Sequence, residues 1–97
     1  MVVGCMKVRL SIPMAQSLKE KRGVVRRCCE RVRNRFKVSV AEVAENDRHN
    51  VATIGISVVS NEHGLVNSIL DKILDHIHED NLGTAEVLES SFEIIHL

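Results

Sequence analysis

The apolar residues of this chain switch between two spacings, and the order of the switches restricts the fold more than any composition figure does. Over residues 2–12 they alternate. Val2, Met6, Val8, Leu10 and Ile12 share one face with Gly4, while Val3, Cys5, Lys7, Arg9 and Ser11 share the other. A period of two over that length is the pattern of a half-buried β-strand, and Pro13 closes it by removing a backbone donor. The spacing then becomes helical. Leu18, Val25, Cys29, Val32 and Phe36 fall within one narrow stripe. In front of them stands a capping box, Ser17-Leu18-Lys19-Glu20, in which Ser17 accepts from the amide three residues on and Glu20 reaches back. Gly23 lies opposite the stripe and costs about 1 kcal/mol relative to alanine.

Period two returns over residues 38–45, with a slip near Ala41-Glu42 that a β-bulge explains, and again over residues 51–59. The polar turn 46–50 between these runs makes them a hairpin. A second helical stripe follows in Val66, Ile69, Leu70, Ile73, Leu74 and Ile77, with Ser60 or Asn61 as its cap and Leu82-Gly83 as its stop. Residues 85–97, carrying Val87, Leu88, Phe92, Ile94, Ile95 and Leu97, read as a closing strand. The order β-α-β-β-α-β, with right-handed crossovers and both helices on one face, predicts an α+β ferredoxin-like sandwich. Its first and third strands are expected at the centre of a four-stranded antiparallel sheet, with the second and fourth at its edges. A single domain over residues 1–97 is expected.

With the elements placed, three stretches resemble the YlxP-like family of small bacterial domains of unknown function. They are the opening Val2-Val3-Gly4, the run Ser17-Leu18-Lys19-Glu20-Lys21-Arg22 with the strand Val38-Ser39-Val40-Ala41-Glu42-Val43 behind it, and the stretch from Ile54 to Asn61 with GISVVSN at its core. The resemblance covers nearly the whole chain. It implies a cytoplasmic bacterial protein of ferredoxin-like fold whose relatives' genes often sit among translation and ribosome-maturation genes. Relatives tend to carry an aromatic and a glutamine after the second strand, where this chain has Asn46-Asp47-Arg48-His49-Asn50. The resemblance brings no catalytic residue.

Charge is sorted along the chain. Residues 1–37 hold eleven of the thirteen Lys/Arg and only two acids, whereas residues 38–97 hold two Lys/Arg and eleven acids, so a net charge of zero hides a polarised molecule. Such a distribution governs steering and partner choice rather than fold. On the first helix Lys19, Arg22, Arg26, Arg33 and Lys37 run along one flank of the apolar stripe, and Arg27, Arg31 and Arg35 form a second row. Like charges at this spacing repel in an isolated helix. Two readings follow: the charges await an anionic partner such as a phosphate backbone, or Asp71, Asp75, Glu79 and Asp80 of the second helix answer them. In a third, basic and acidic helices of different molecules meet.

Other chemistries fit less well. The open sheet face is expected to show Val3, Cys5, Lys7, Arg9, Thr53 and Ser57 without Tyr or Trp, so base stacking of the kind used by sheet-face RNA binders is not expected. Val3, Cys5, Val51 and Val59 make that face apolar enough for a partner to cover. His76 and Asp80 share a helical face but His78 points away, which is poor for a structural metal site. Cys28 and Cys29 read as small core residues, because adjacent helical cysteines cannot form a relaxed disulfide. No nucleophile elbow, phosphate loop, dinucleotide fingerprint or zinc-protease helix is present. Ser60, Asn61, Glu62 and His63 at a strand-to-helix junction are the fallback site for a small anion. No apolar run approaches the roughly 18–20 residues that span a bilayer. The charged start is unlike a secretory signal, and an odd cysteine count fits a reducing cytoplasm.

These features lead to an expectation of a non-enzymatic, cytoplasmic bacterial binding domain, with no cofactor, metal or membrane. Its partner is expected to be ribosomal RNA or a ribosomal subunit, contacted through Lys19, Arg22, Arg26, Arg27, Arg31, Arg33 and Lys37. The alternative is a homo-oligomeric interaction module assembled through its basic and acidic helices. A homodimer through the sheet face or an edge strand is a further expectation.

Overall fold

The alternating and helical segments take up the β-α-β-β-α-β order in a computed structural model that describes residues 1–97. Strand β1 spans Val2–Ser11, helix α1 Leu18–Phe36, β2 Ser39–Ala44, β3 Val51–Ser60, α2 His63–Asp80 and β4 Glu86–His96. The sheet order is β2-β3-β1-β4 with every pairing antiparallel, so the fold is ferredoxin-like with β1 and β3 central. One cluster of 20 buried residues forms the core between the sheet and the two helices. Val2, Met6, Val8 and Leu10 enter it from β1, and Ala52, Ile54, Ile56 and Val58 from β3. They do so because each strand's even positions share one face.

Gly4 lies on that buried face where α2 crosses β1. A Cβ there would stand 2.5 Å from Val66 Cγ1 and 3.0 Å from Leu70 Cδ1, so the missing side chain is what lets the helix approach. Val66, Leu70, Ile73 and Ile77 are the buried positions of α2, with Ile69 and Leu74 at its margins.

Helix α1 begins at Ser17, whose Oγ accepts the Glu20 amide at 3.1 Å. The carboxylate of Glu20 accepts from the Gln16 amide at 2.6 Å rather than from Ser17, one residue further back than a capping box requires. The helix ends on Lys37, which adopts a left-handed conformation (φ 57°) while its amide donates to the Arg33 carbonyl. The slip in β2 is a register shift between Glu42 and Ala44.

Four expectations need correction. Neither Ser60 nor Asn61 caps α2: the cap position is Glu62, with no side-chain cap hydrogen bond, and Ser60 Oγ accepts the Glu62 amide at 3.3 Å. Asn81, not Leu82-Gly83, ends α2; its buried amide donates to the Ile77 carbonyl at 2.8 Å, and Gly83 (φ 81°) sits in the turn beyond. The buried stripe of α1 is Lys21, Val25, Cys28, Cys29 and Val32, with Leu18 and Phe36 half-buried at its edge. Val51, expected on the open face, is 8% exposed.

Two glycines give opposite predictions. Nothing stands within 4 Å of a Cβ at Gly23, so Gly23→Ala should raise stability by about 0.5–1 kcal/mol by restricting the unfolded chain. Gly4→Ala should lower it by about 1–3 kcal/mol through overpacking against α2. Urea denaturation of the two variants beside the parent measures both.

Candidate nucleic-acid interface

The rotation of α1 about its axis decides which cations face water, and a buried lysine sets that rotation. Lys21 is fully buried. Its ammonium donates to the Glu45 carbonyl at 2.8 Å and the Val51 carbonyl at 3.2 Å, and lies 2.8 Å from Glu42 Oε2. The two carbonyls accept hydrogen bonds and the Glu42 carboxylate supplies the counter-charge, which makes the burial of the ammonium tolerable. The contact fastens α1 to the β2–β3 hairpin at both sides of its turn. Lys21, Val25, Cys28 and Val32 follow a helical i, i+4, i+7, i+11 spacing, which is the signal in the sequence that places this lysine on the inner face.

With Lys21 turned inward, the remaining cations distribute unevenly. Lys19, Arg22, Arg26, Arg27 and Lys37 are exposed, and none makes an ion pair within the chain. Arg31 pairs with Asp80 of α2 at 3.2 Å. Arg33 donates to the Val40 carbonyl of β2 at 2.7 Å. Arg35 lies 5.7 Å from the centre of the Phe36 ring and 3.5 Å from His76 Nδ1. Asp71, Asp75 and Glu79 reach no cation of α1, so α2 answers a single charge of the basic helix. Residues 19 and 37 lie about 27 Å apart at 1.5 Å per residue, and the row between them carries Glu30 as an interrupting acid.

On the open sheet face, Arg9 donates through Nε (3.1 Å) and Nη2 (3.0 Å) to Glu45, which also accepts from Thr53 Oγ1 at 3.0 Å and lies near Arg48. The Arg9 hydrogen bond, aided by that of Thr53 and the nearby guanidinium charges, holds the Glu45 carboxyl below its ordinary value of 4.5. Phe92 is paired with the core residue Met6, so by register it faces away from the open side, although it is 55% exposed. No aromatic ring therefore stands on the open face to stack a base.

The remaining candidates separate. His76 packs edge-on against Phe36 with ring centres 5.6 Å apart, and no group of three His, Cys, Asp or Glu side chains is placed to hold a metal ion. Cys28 and Cys29 are buried. Burial raises both thiols, that of Cys29 to about 11, which keeps them as unreactive packing groups. At the start of α2 the cap position is the acidic residue Glu62, whose charge disfavours an incoming anion, and His63 Nδ1 lies 2.7 Å from His96 Nε2. No helix is long and apolar enough to cross a membrane.

A family model described as "Protein of unknown function (DUF503)" matches residues 3–92. The chain belongs to that family. A relative from Bacillus subtilis (strain 168), the uncharacterized protein YlxP, is 34% identical over 76 residues, covering 78% of this chain and 83% of the relative. Among solved structures, a de novo designed protein with a ferredoxin fold superimposes with a TM-score of 0.57 at 14% identity, over 98% of this chain and 84% of the other. The designed protein Foldit4 does so with a TM-score of 0.50 at 17% identity, over 99% and 97%. Both likenesses concern the fold alone. The stretches that carry the family resemblance meet in space: Lys21 touches Glu42, and Gly4 of the opening lies against Val58 of the stretch from Ile54 to Asn61.

Two predictions follow from these contacts. Lys21→Met strands the Glu42 carboxylate and should cost about 3–5 kcal/mol, the range for breaking a buried pair from one side. Adding Glu42→Leu should restore part of the loss in a denaturant-based double-mutant cycle. The folded Glu45 titrates below its ordinary 4.5. Its contribution to stability is therefore complete above about pH 4.5 and is lost as pH falls through the lower folded-state value. Thermal melts across acid pH should show a shallower decline in Glu45→Gln than in the parent.

Proposed function

We propose that this protein is a binding domain that docks on a phosphate backbone through the outer face of α1. The observation that supports this reading is the set of five exposed, unpaired cations, Lys19, Arg22, Arg26, Arg27 and Lys37, beside an acidic helix that pairs with only one of its neighbours. Leaving so many like charges on one helix is unfavourable for the free molecule and favourable once phosphates displace their counterions. Arg31 and Arg33 play supporting parts, since each already has a partner within the chain.

The partner of this reading is structured RNA, specifically ribosomal RNA or a ribosomal subunit in the bacterial cytoplasm. The RNA class rests on the family resemblance and its association with translation genes; the contact chemistry rests on α1. With no aromatic on the open face, splayed single-stranded bases have no stacking platform, so duplex backbone is the favoured target and sequence preference is weak. The reading is of a non-enzymatic protein without a cofactor.

Binding to small ribosomal subunits and bulk ribosomal RNA, measured across a salt series, tests the proposal. Five phosphate contacts on a duplex should give a slope of log K against log salt of about −4.5. Arg22→Glu with Arg26→Glu should abolish binding, while Arg31→Ala should weaken it little. Absence of binding at low salt would refute the proposal.

A further inference from the structure

Helix α1 leaves the opposite side of the molecule unused. On that side Val3 pairs directly with Val59 of β3 and with Ile95 of β4, giving an apolar row across three strands. Val59 is 61% exposed and Ile95 39%. Val43, from the bulge in β2, folds over Gly55: its Cγ1 stands 2.7 Å from where a Gly55 Cβ would be. Beside them lies a hollow of about 800 Å³ lined by Ser39, Ala41, Gly55 and Ser57, with Lys7 next to Gly55 across the β1–β3 pairing. Lys7, Glu89 and Glu93 make no ion pair within the chain, so the face carries unpaired charges of both signs.

We propose that this open sheet face is the interface of a homodimer, in which two copies pack sheet against sheet about a two-fold axis running along the strands between β1 and β3. Under that symmetry β1 of each copy lies over β3 of the other. Val3 meets Val59 of the other copy, Cys5 lies over Ser57, and Lys7 comes over Gly55 beside the methyls of Val43. The area fits. Strands of 10, 6, 10 and 11 residues, at about 3.3 Å per residue and about 4.8 Å apart, give a face of about 590 Å². Two such faces cover about 1,200 Å², the lower end of the range of specific interfaces.

Both edges are guarded and the face is not. Strand β2 is six residues long, carries the bulge, and has its Val40 carbonyl occupied by Arg33. Strand β4 carries Glu86, Glu89 and Glu93, which pairing of two such edges would gather along one seam. Short, bulged or charged strands are how natural sheets prevent edge association. Helices α1 and α2 lie outside the sheet pair, so the dimer does not depend on the phosphate-binding reading.

Cys5 makes the interface measurable without a variant. It sits on the open face and is exposed, whereas Cys28 and Cys29 are buried. Sedimentation equilibrium of the full chain at high micromolar concentration should show a dimer. The rate of Cys5 alkylation by N-ethylmaleimide should fall several-fold as the protein is concentrated from nanomolar into that range. Val59→Lys and Ile95→Lys, at exposed positions, should each sediment as monomers with unchanged circular dichroism, and the Arg22→Glu/Arg26→Glu pair should remain dimeric. A monomer at high concentration would overturn the proposal. So would a dimer whose Cys5 reacts at a concentration-independent rate, because an edge- or helix-mediated assembly leaves that thiol open.

Discussion

The ammonium of Lys21 is the contact on which the arrangement of this molecule turns. It draws three acceptors from β2, from the turn after it and from the start of β3 to one point under α1. A hydrophobic contact at the same place would fix the distance between helix and hairpin but leave the helix free to roll. Two hydrogen bonds to carbonyls and the charge of Glu42 restrict the roll as well, because they hold the ammonium from both sides of the hairpin turn. Everything presented by the outer face of α1, above all the exposure of Arg22 and Arg26, follows from that single orientation.

Polar anchoring also explains an asymmetry between the two helices. Helix α2 is seated by shape: Gly4 opens a gap in β1, and Val66 and Leu70 fill it. Helix α1 is seated by charge, with a core-facing surface that includes a lysine and two cysteines as well as valines. The first mode tolerates little change in volume; the second tolerates little change in ionisation. The two helices therefore lose their seats by different routes when perturbed.

Most of the architecture was legible because period two and period 3.6 are written plainly in a chain with few aromatics to confuse them. The register of β1, the hairpin and the slip in β2 all follow from alternation. Legibility ended where a residue's type and its position disagreed. Lys21 sits at the centre of a helical stripe, but a lysine there reads as solvent-facing until its acceptors, 21 to 30 residues further along, are known. Ser60 and Asn61 are good capping residues, yet the backbone turns into α2 only after Glu62. The cations of α1 were visible as a row, while the question of whether α2 neutralises them depended on distances between helices. Only Arg31 and Asp80 come close enough, and no periodicity contains that information.

The position of β1 at the middle of the sheet has a consequence for synthesis. Its two neighbours are β3 and β4, and the second of these pairings joins Val2 to His96. At about 5–20 residues per second the ribosome needs roughly 2–7 s to make residues 61–96 once β3 is complete. During that interval one side of the central strand has no hydrogen-bonding neighbour, and the surface that α2 will cover stays wet. Long-range pairing of this kind also slows folding after release. The nascent chain therefore passes through a stage in which a central strand is an open edge while its basic helix is already made.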